Sequence, residues 1–109
     1  MDGLLLAALA RTLCTWPGSD SVAIDLEGHG REALSGELDP SGTVGWFTSL
    51  YPVNFEIPRD ASEGVLIEAV KAHLSQVPHK GIGYGLLRYL QDAESPSRLP
   101  AHSGAQVLF

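Results

Sequence analysis

A single cysteine, Cys14, stands among the 109 residues, so no internal disulfide can form and the secreted, disulfide-stapled class of small domain is excluded. A reducing, cytoplasmic setting is expected. Basic charge is scarce as well: seven Lys and Arg against thirteen Asp and Glu leave a net charge of -6. No Lys/Arg cluster offers a phosphate-backbone footprint, and nucleic acid is not an expected partner. Long hydrophobic runs are missing too. Residues 4–10 (LLLAALA) form the one candidate targeting segment, but a bilayer span takes about 20 residues. Asp2 also stands where a secretory signal has Lys or Arg. The run reads as helix, with no membrane role.

Several catalytic signatures are absent. No G-x-S-x-G elbow supports a serine hydrolase. Gly81-x-Gly83-x-Gly85 follows a helical pattern and lacks the preceding strand, the spacing and the Lys of phosphate-cradling loops. His29, His73, His79 and His102 show no metal-ligand spacing, so no metal site is expected. What remains is an ordinary globular composition, 44% apolar and 18% charged, sized for one small domain.

Leu5, Leu6 and Leu9 place a helix over residues 2–12, with Leu13 continuing the face and Pro17-Gly18 closing it. Residues 21–27 alternate, with Val22, Ile24 and Leu26 on one side and Asp25 and Glu27 on the other, as a half-buried strand does. Gly28-His29-Gly30 halts that strand. Arg31 to Leu34 allow at most a turn of helix, and residues 35–42 read as loop. Residues 43–53 are rich in β-branched and aromatic side chains and predict extended structure reaching Ile57, with Pro52 marking an edge, a bulge or a crossing. Asp60 with Glu63 resembles a capping box opening a helix whose stripe is Leu66, Ala69, Val70, His73, Leu74 and Val77, ended by Pro78. After a flexible Gly81–Gly85 turn, Leu86, Leu87 and Leu90 imply a short third helix to about Asp92. Residues 95–104 read as loop, and Gln106-Val107-Leu108-Phe109 as the opening of a strand. The fold class is therefore α/β or α+β. A strand cut mid-run and strands with few partners are what is expected of part of a larger domain.

Glu27-Gly28-His29-Gly30-Arg31-Glu32 packs four ionisable groups into six residues at a strand end, where loops commonly hold catalytic groups. A carboxylate projecting from there into an apolar tunnel has its neutral form favoured by desolvation and can exchange a proton near neutral pH. Glu27 is the candidate; a surface turn of solvated charges is the alternative. Arg31 facing Glu27 would oppose that tuning, so it is assigned to Glu32, to Asp25 or to a structural clamp. His73 reads as a hydrogen-bonded core residue, and His79 and His102 as exposed. Trp46, Phe47 and Tyr51 could line a ligand channel, with core the default for Trp46 and Phe47.

Taken together, several strings resemble the epimerization domain of nonribosomal peptide synthetases, within the condensation-domain superfamily. Glu27 to Glu32 agree with that family's EGHGRE motif, and Thr43 to Val53 with its TVGWFT...YP stretch. Pro78-His79-Lys80-Gly81-Ile82-Gly83-Tyr84-Gly85 fits PxxGxGYG, Asp2 to Ala7 the start of a DxLLxA helix motif, and Phe109 the first residue of FNYLG. Gly42 stands where the family usually has Arg, and Leu9 where it has glycine. The family's HHxxxDG string, with its catalytic histidine, belongs upstream of Asp2, so residues 1–109 are expected to be one partial domain without its opening half.

The resemblance implies a partial chloramphenicol-acetyltransferase-like fold, two halves of which enclose a tunnel. Into that tunnel a peptidyl carrier protein inserts its phosphopantetheine arm, bearing an aminoacyl or peptidyl thioester that is converted from the L to the D form. No cofactor is expected to bind the chain directly. Glu27 matches the tunnel glutamate as catalytic residue, with His29, Arg31, Trp46, Tyr51 and Tyr84 as substrate-binding candidates. The missing half is itself an expected partner, and without it the chain is expected to be inactive or nearly so. The alternatives are an amide-forming condensation domain, or a noncatalytic piece that docks a carrier protein or a complementary half-domain.

Overall fold

The computed structural model describes residues 2–32, 39–90, 99 and 104–109. Its elements run α1 (Asp2–Thr15), β1 (Ser21–Gly28), β2 (Ser49–Glu56), α2 (Glu63–Gln76) and α3 (Gly83–Tyr89), with 3-10 turns at Pro40–Gly42 and Pro78–Gly81. β1 and β2 are antiparallel, Ser21 opposite Glu56 and Gly28 opposite Ser49. On the other edge of β1, Asp25 N–H donates to the Val107 carbonyl and Glu27 N–H to that of Phe109, each at 2.9 Å. Leu108 lies parallel to Asp25. The extended segment expected at 106–109 therefore pairs with the sheet, and β1 is central.

Alternation along β1 sorts its side chains as expected, because each strand residue turns the opposite way to its neighbours. Val22 faces Phe55, Ile24 faces Val53 and Leu26 faces Tyr51 across the ladder. Leu6, Ala7, Ala10 and Cys14 of α1 close over this face with Leu66 and Val70 of α2. Phe55, Leu6, Ile24, Ile57 and Val70 are the largest fully buried side chains, and burying a side chain of this size stabilises by about 1.5–3 kcal/mol. Arg11 ties the end of α1 to the turn before α2 by donating to the carbonyls of Arg59 and Ala61.

Several expectations need correction. Residues 43–48 are not strand; β2 begins only at Ser49. The N-cap of α2 is Ser62, whose Oγ accepts from Val65 N–H at 3.5 Å, so Asp60 forms no capping box. Asp60 belongs instead to a turn closed by Ala61 N–H on the Pro58 carbonyl. Gly83 and Gly85 lie inside α3, not in a flexible turn, and Asp92 is outside the described residues. So are residues 33–38, most of the 95–104 loop, and His102. His73 is exposed, its ring tilted against Phe55 at 5.4 Å between centroids, instead of sitting in the core. Among the described residues no helix is long and apolar enough to cross a membrane.

Cys14 is free and buried, and burial, aided by Asp20, pushes its thiol pKa up. Since the thiolate is the reactive form, the raised pKa together with 3% exposure slows alkylation. Iodoacetamide labelling followed by mass spectrometry is expected to run about a hundred-fold slower for the folded chain than in urea.

Candidate active site

β1 stops at Gly28, which delivers Glu27 to the end of the central strand. There Glu27 lines a cavity of about 930 Å³ with Asp2 and Leu6 of α1, Leu26, His29, Glu32, Tyr51, Leu74, Val77, Lys80 and Phe109 among others. Leu6, Leu26, Leu74, Val77 and Phe109 supply apolar wall, and the ionisable groups gather near the strand end. Glu27 is exposed. The chain thus places Glu27 beside an apolar hollow without enclosing it.

The loop after Glu27 has a defined hydrogen-bonding logic. His29 Nδ1 accepts from Arg31 N–H at 3.0 Å, so Nε2 carries the proton and donates to Glu32 Oε1, also at 3.0 Å. The other carboxylate oxygen of Glu32 meets Lys80 Nζ at 3.1 Å. Arg31, of the three roles open to it, takes that of clamp: its guanidinium donates to the carbonyls of Pro40 and Thr43 at 2.6 and 2.9 Å. It also reaches Gly45 O and lies 4.3 Å from the centre of the Phe47 ring. This anchoring holds residues 43–48 as a draped loop, which explains why extended-chain composition there did not become strand.

Two glycines make the arrangement possible. Gly30 has φ +64, and a Cβ on it would sit 1.5 Å from the Phe47 carbonyl oxygen. Gly81 has φ +79, and its Cβ would fall 2.1 Å from the Tyr51 ring. Tyr51 is therefore pressed between the strand end and the turn after α2. Burial first, then Glu32, raises its phenol pKa, with Lys80 opposing; the hydroxyl stays protonated at neutral pH and can donate a hydrogen bond.

Of the residues singled out from sequence, Glu27, His29 and Tyr51 share this cavity, while Arg31, Trp46 and Tyr84 do not line it. Trp46 is 89% exposed, which corrects its default as a core residue. Tyr84, on α3, has its hydroxyl 3.3 Å from Arg88 Nη1 and lines a separate groove along β2. No local signal marked Lys80 or Asp2 as site residues, although each stands within one of the family strings. Among the described residues no three His, Cys, Asp or Glu side chains cluster as metal ligands.

The family model for the condensation domain matches residues 1–101. This chain belongs to the condensation-domain family. It is similar to one of the subunits of the linear gramicidin synthase of Brevibacillus parabrevis, 49% identical over all of this chain and 1% of that protein. A mycosubtilin synthase protein of Bacillus subtilis is 49% identical over 84% of this chain and 4% of its own length. Among solved structures, the epimerization domain from the third module of tyrocidine synthetase B superposes with TM-score 0.86 at 36% identity, over 99% of this chain and 25% of that one. The first condensation domain of the CDA synthetase, at TM-score 0.60, 20% identity and 85% coverage, shares the fold. The condensation-family chain is thus part of a chloramphenicol-acetyltransferase-like domain, spanning a quarter of the solved epimerization domain and a few per cent of the synthases.

Proposed function

We propose that this chain is the part of an epimerization domain that contributes one of two proton-transfer groups, Glu27. The substrate is an L-aminoacyl or peptidyl thioester on the phosphopantetheine arm of a carrier protein. The thioester carbonyl acidifies the α-hydrogen. One group takes that proton and a second returns a proton to the opposite face, giving the D form. Glu27 supplies one side, and the histidine of an upstream HHxxxDG half supplies the other. The observation that carries the reading is the position of Glu27, at the end of the central strand against an apolar hollow, in a chain that superposes on an epimerization domain. Enclosure by the rest of the domain then provides the desolvation suited to proton transfer. Uncovered apolar side chains fit such a covering: Leu4, Leu5, Leu86 and Leu87 are each at least half exposed, and Val44 is 99% exposed. His29 and Tyr51 line the substrate's path, Arg31 acts through the loop it clamps, and Trp46 and Tyr84 meet substrate or carrier at surfaces outside the Glu27 cavity.

The test joins the chain to an upstream half and offers an L-aminoacyl carrier protein in deuterated water. Deuterium at the α-carbon together with D-product is expected. An amide product with an acceptor aminoacyl carrier, and no exchange, would instead establish the condensation reading, with which the family match is equally compatible.

A further inference from the structure

The geometry points to Glu32 as the positioning residue of this site: its carboxylate, bridging His29 and Lys80, locks the strand-end loop to the turn after α2 and holds the Lys80 ammonium away from Glu27. This inference rests on the role proposed for Glu27.

Three observations carry it. First, the Glu32 side chain is only 20% exposed whereas His29 and Lys80 are 64% and 69% exposed, so the carboxylate is the fixed point and the two partners reach in to it. Second, Lys80 is held in an unfavourable backbone. His79 (φ 46, ψ 35) and Lys80 (φ 50, ψ 38) are consecutive left-handed residues with Cβ atoms, and such positions persist only where their surroundings over-determine them. Gly81 against Tyr51 secures one side of that turn, and the Lys80–Glu32 pair secures the other. Third, the turn abuts the residue after Glu27: the Lys80 carbonyl lies 3.7 Å from where a Cβ on Gly28 would stand.

The consequence is electrostatic. Lys80 lines the same cavity as Glu27, and an unpaired ammonium there favours the ionised carboxylate and opposes proton return. Glu32 cancels that charge. The other titratable groups facing the cavity are Asp2 from α1, Tyr51 from β2 and His29. His29 is already committed through Nδ1 to Arg31 N–H, and the wall from α2 and the Val77 that caps it contributes Leu74, Ser75 and Val77, none of them charged.

The test measures α-deuterium exchange against pH in the completed domain, for Glu32→Gln and for Lys80→Met, with circular dichroism to check folding. Glu32→Gln frees the ammonium, and the limb of the profile set by Glu27 is expected to move down by about one pH unit. Lys80→Met leaves Glu32 as an unbalanced negative neighbour, and the limb is expected to move up. Shifts of opposite sign are the signature, since mere loss of structure lowers the rate without moving the limb in two directions. Should Glu32→Gln fail to fold, an upward shift in Lys80→Met still supports the proposal and an unmoved limb overturns it. A limb that stays in place in both variants, while Glu27→Gln no longer inverts the substrate, overturns the role of Glu32 alone. Undiminished inversion in Glu27→Gln overturns the reading beneath it.

Discussion

Gly30→Ala is expected to cost this chain roughly 3–5 kcal/mol, a large part of the stability of about 5–15 kcal/mol available to a domain. Two effects add. The left-handed backbone at φ +64 penalises any Cβ by about 1–2 kcal/mol. The added carbon would also lie 1.5 Å from the Phe47 oxygen and 2.6 Å from its carbonyl carbon, a clash with backbone that no rotamer change relieves. Relief requires the loop to part from the start of β2, which undoes the Arg31 clamp as well. Gly85→Ala is the control, because Gly85 lies within α3 with nothing within 4 Å of its Cβ position, and alanine there is expected to gain about 0.5–1 kcal/mol. Urea unfolding followed by circular dichroism measures both. Equal midpoints for the two variants would contradict the close packing at Gly30.

Glu27→Gln is expected to lower inversion of the carrier-bound substrate by about 10²–10⁴-fold in the completed domain. Glutamine preserves size and shape but neither gives nor takes a proton at neutral pH. Glu27 is exposed, and its backbone N–H still bonds the Phe109 carbonyl at 2.9 Å, so the strand and its neighbours stay in place. The loss therefore falls on proton transfer and not on folding. Stopped-time assays that resolve L- and D-aminoacyl products, run beside unfolding curves, separate the two. A parallel fall in stability would assign Glu27 to the fold instead.

The periodic elements were legible because burial leaves a period. Leu6 and Leu9 in α1, Val22, Ile24 and Leu26 in β1, and Leu66 and Val70 in α2 all lie in the core or packed against it. Legibility fails where a distant contact overrides local composition. Thr43 to Thr48 has the residues of a strand, yet the carbonyls of Thr43 and Gly45 are taken by Arg31, up to fourteen positions earlier. The glycines of 81–85 read as a turn, but only Gly81 needs its positive φ, while Gly83 and Gly85 enter a helix. His79 and Lys80 adopt the conformation usually left to glycine, which their identities do not announce. At the site, the position of Glu27 followed from strand alternation and its motif. The Glu32–Lys80 pair joins residues far apart in the chain, and nothing local indicates it. Trp46 shows the converse error: a large aromatic in an apolar string suggested core, whereas the loop carries it outward to 89% exposure.

A two-sided proton relay makes one demand that no one-sided mechanism shares, and enantiomer-resolved isotope exchange in Glu27→Gln measures it directly. L- and D-aminoacyl carrier proteins are offered separately, in deuterated water, to the completed domain bearing this substitution. One enantiomer is expected to gain α-deuterium with its configuration kept, through the group on the opposite face, while the other exchanges far more slowly and neither inverts. Inversion at the rate of the unsubstituted domain, or exchange reduced equally for both enantiomers, would contradict the assignment of one face to Glu27.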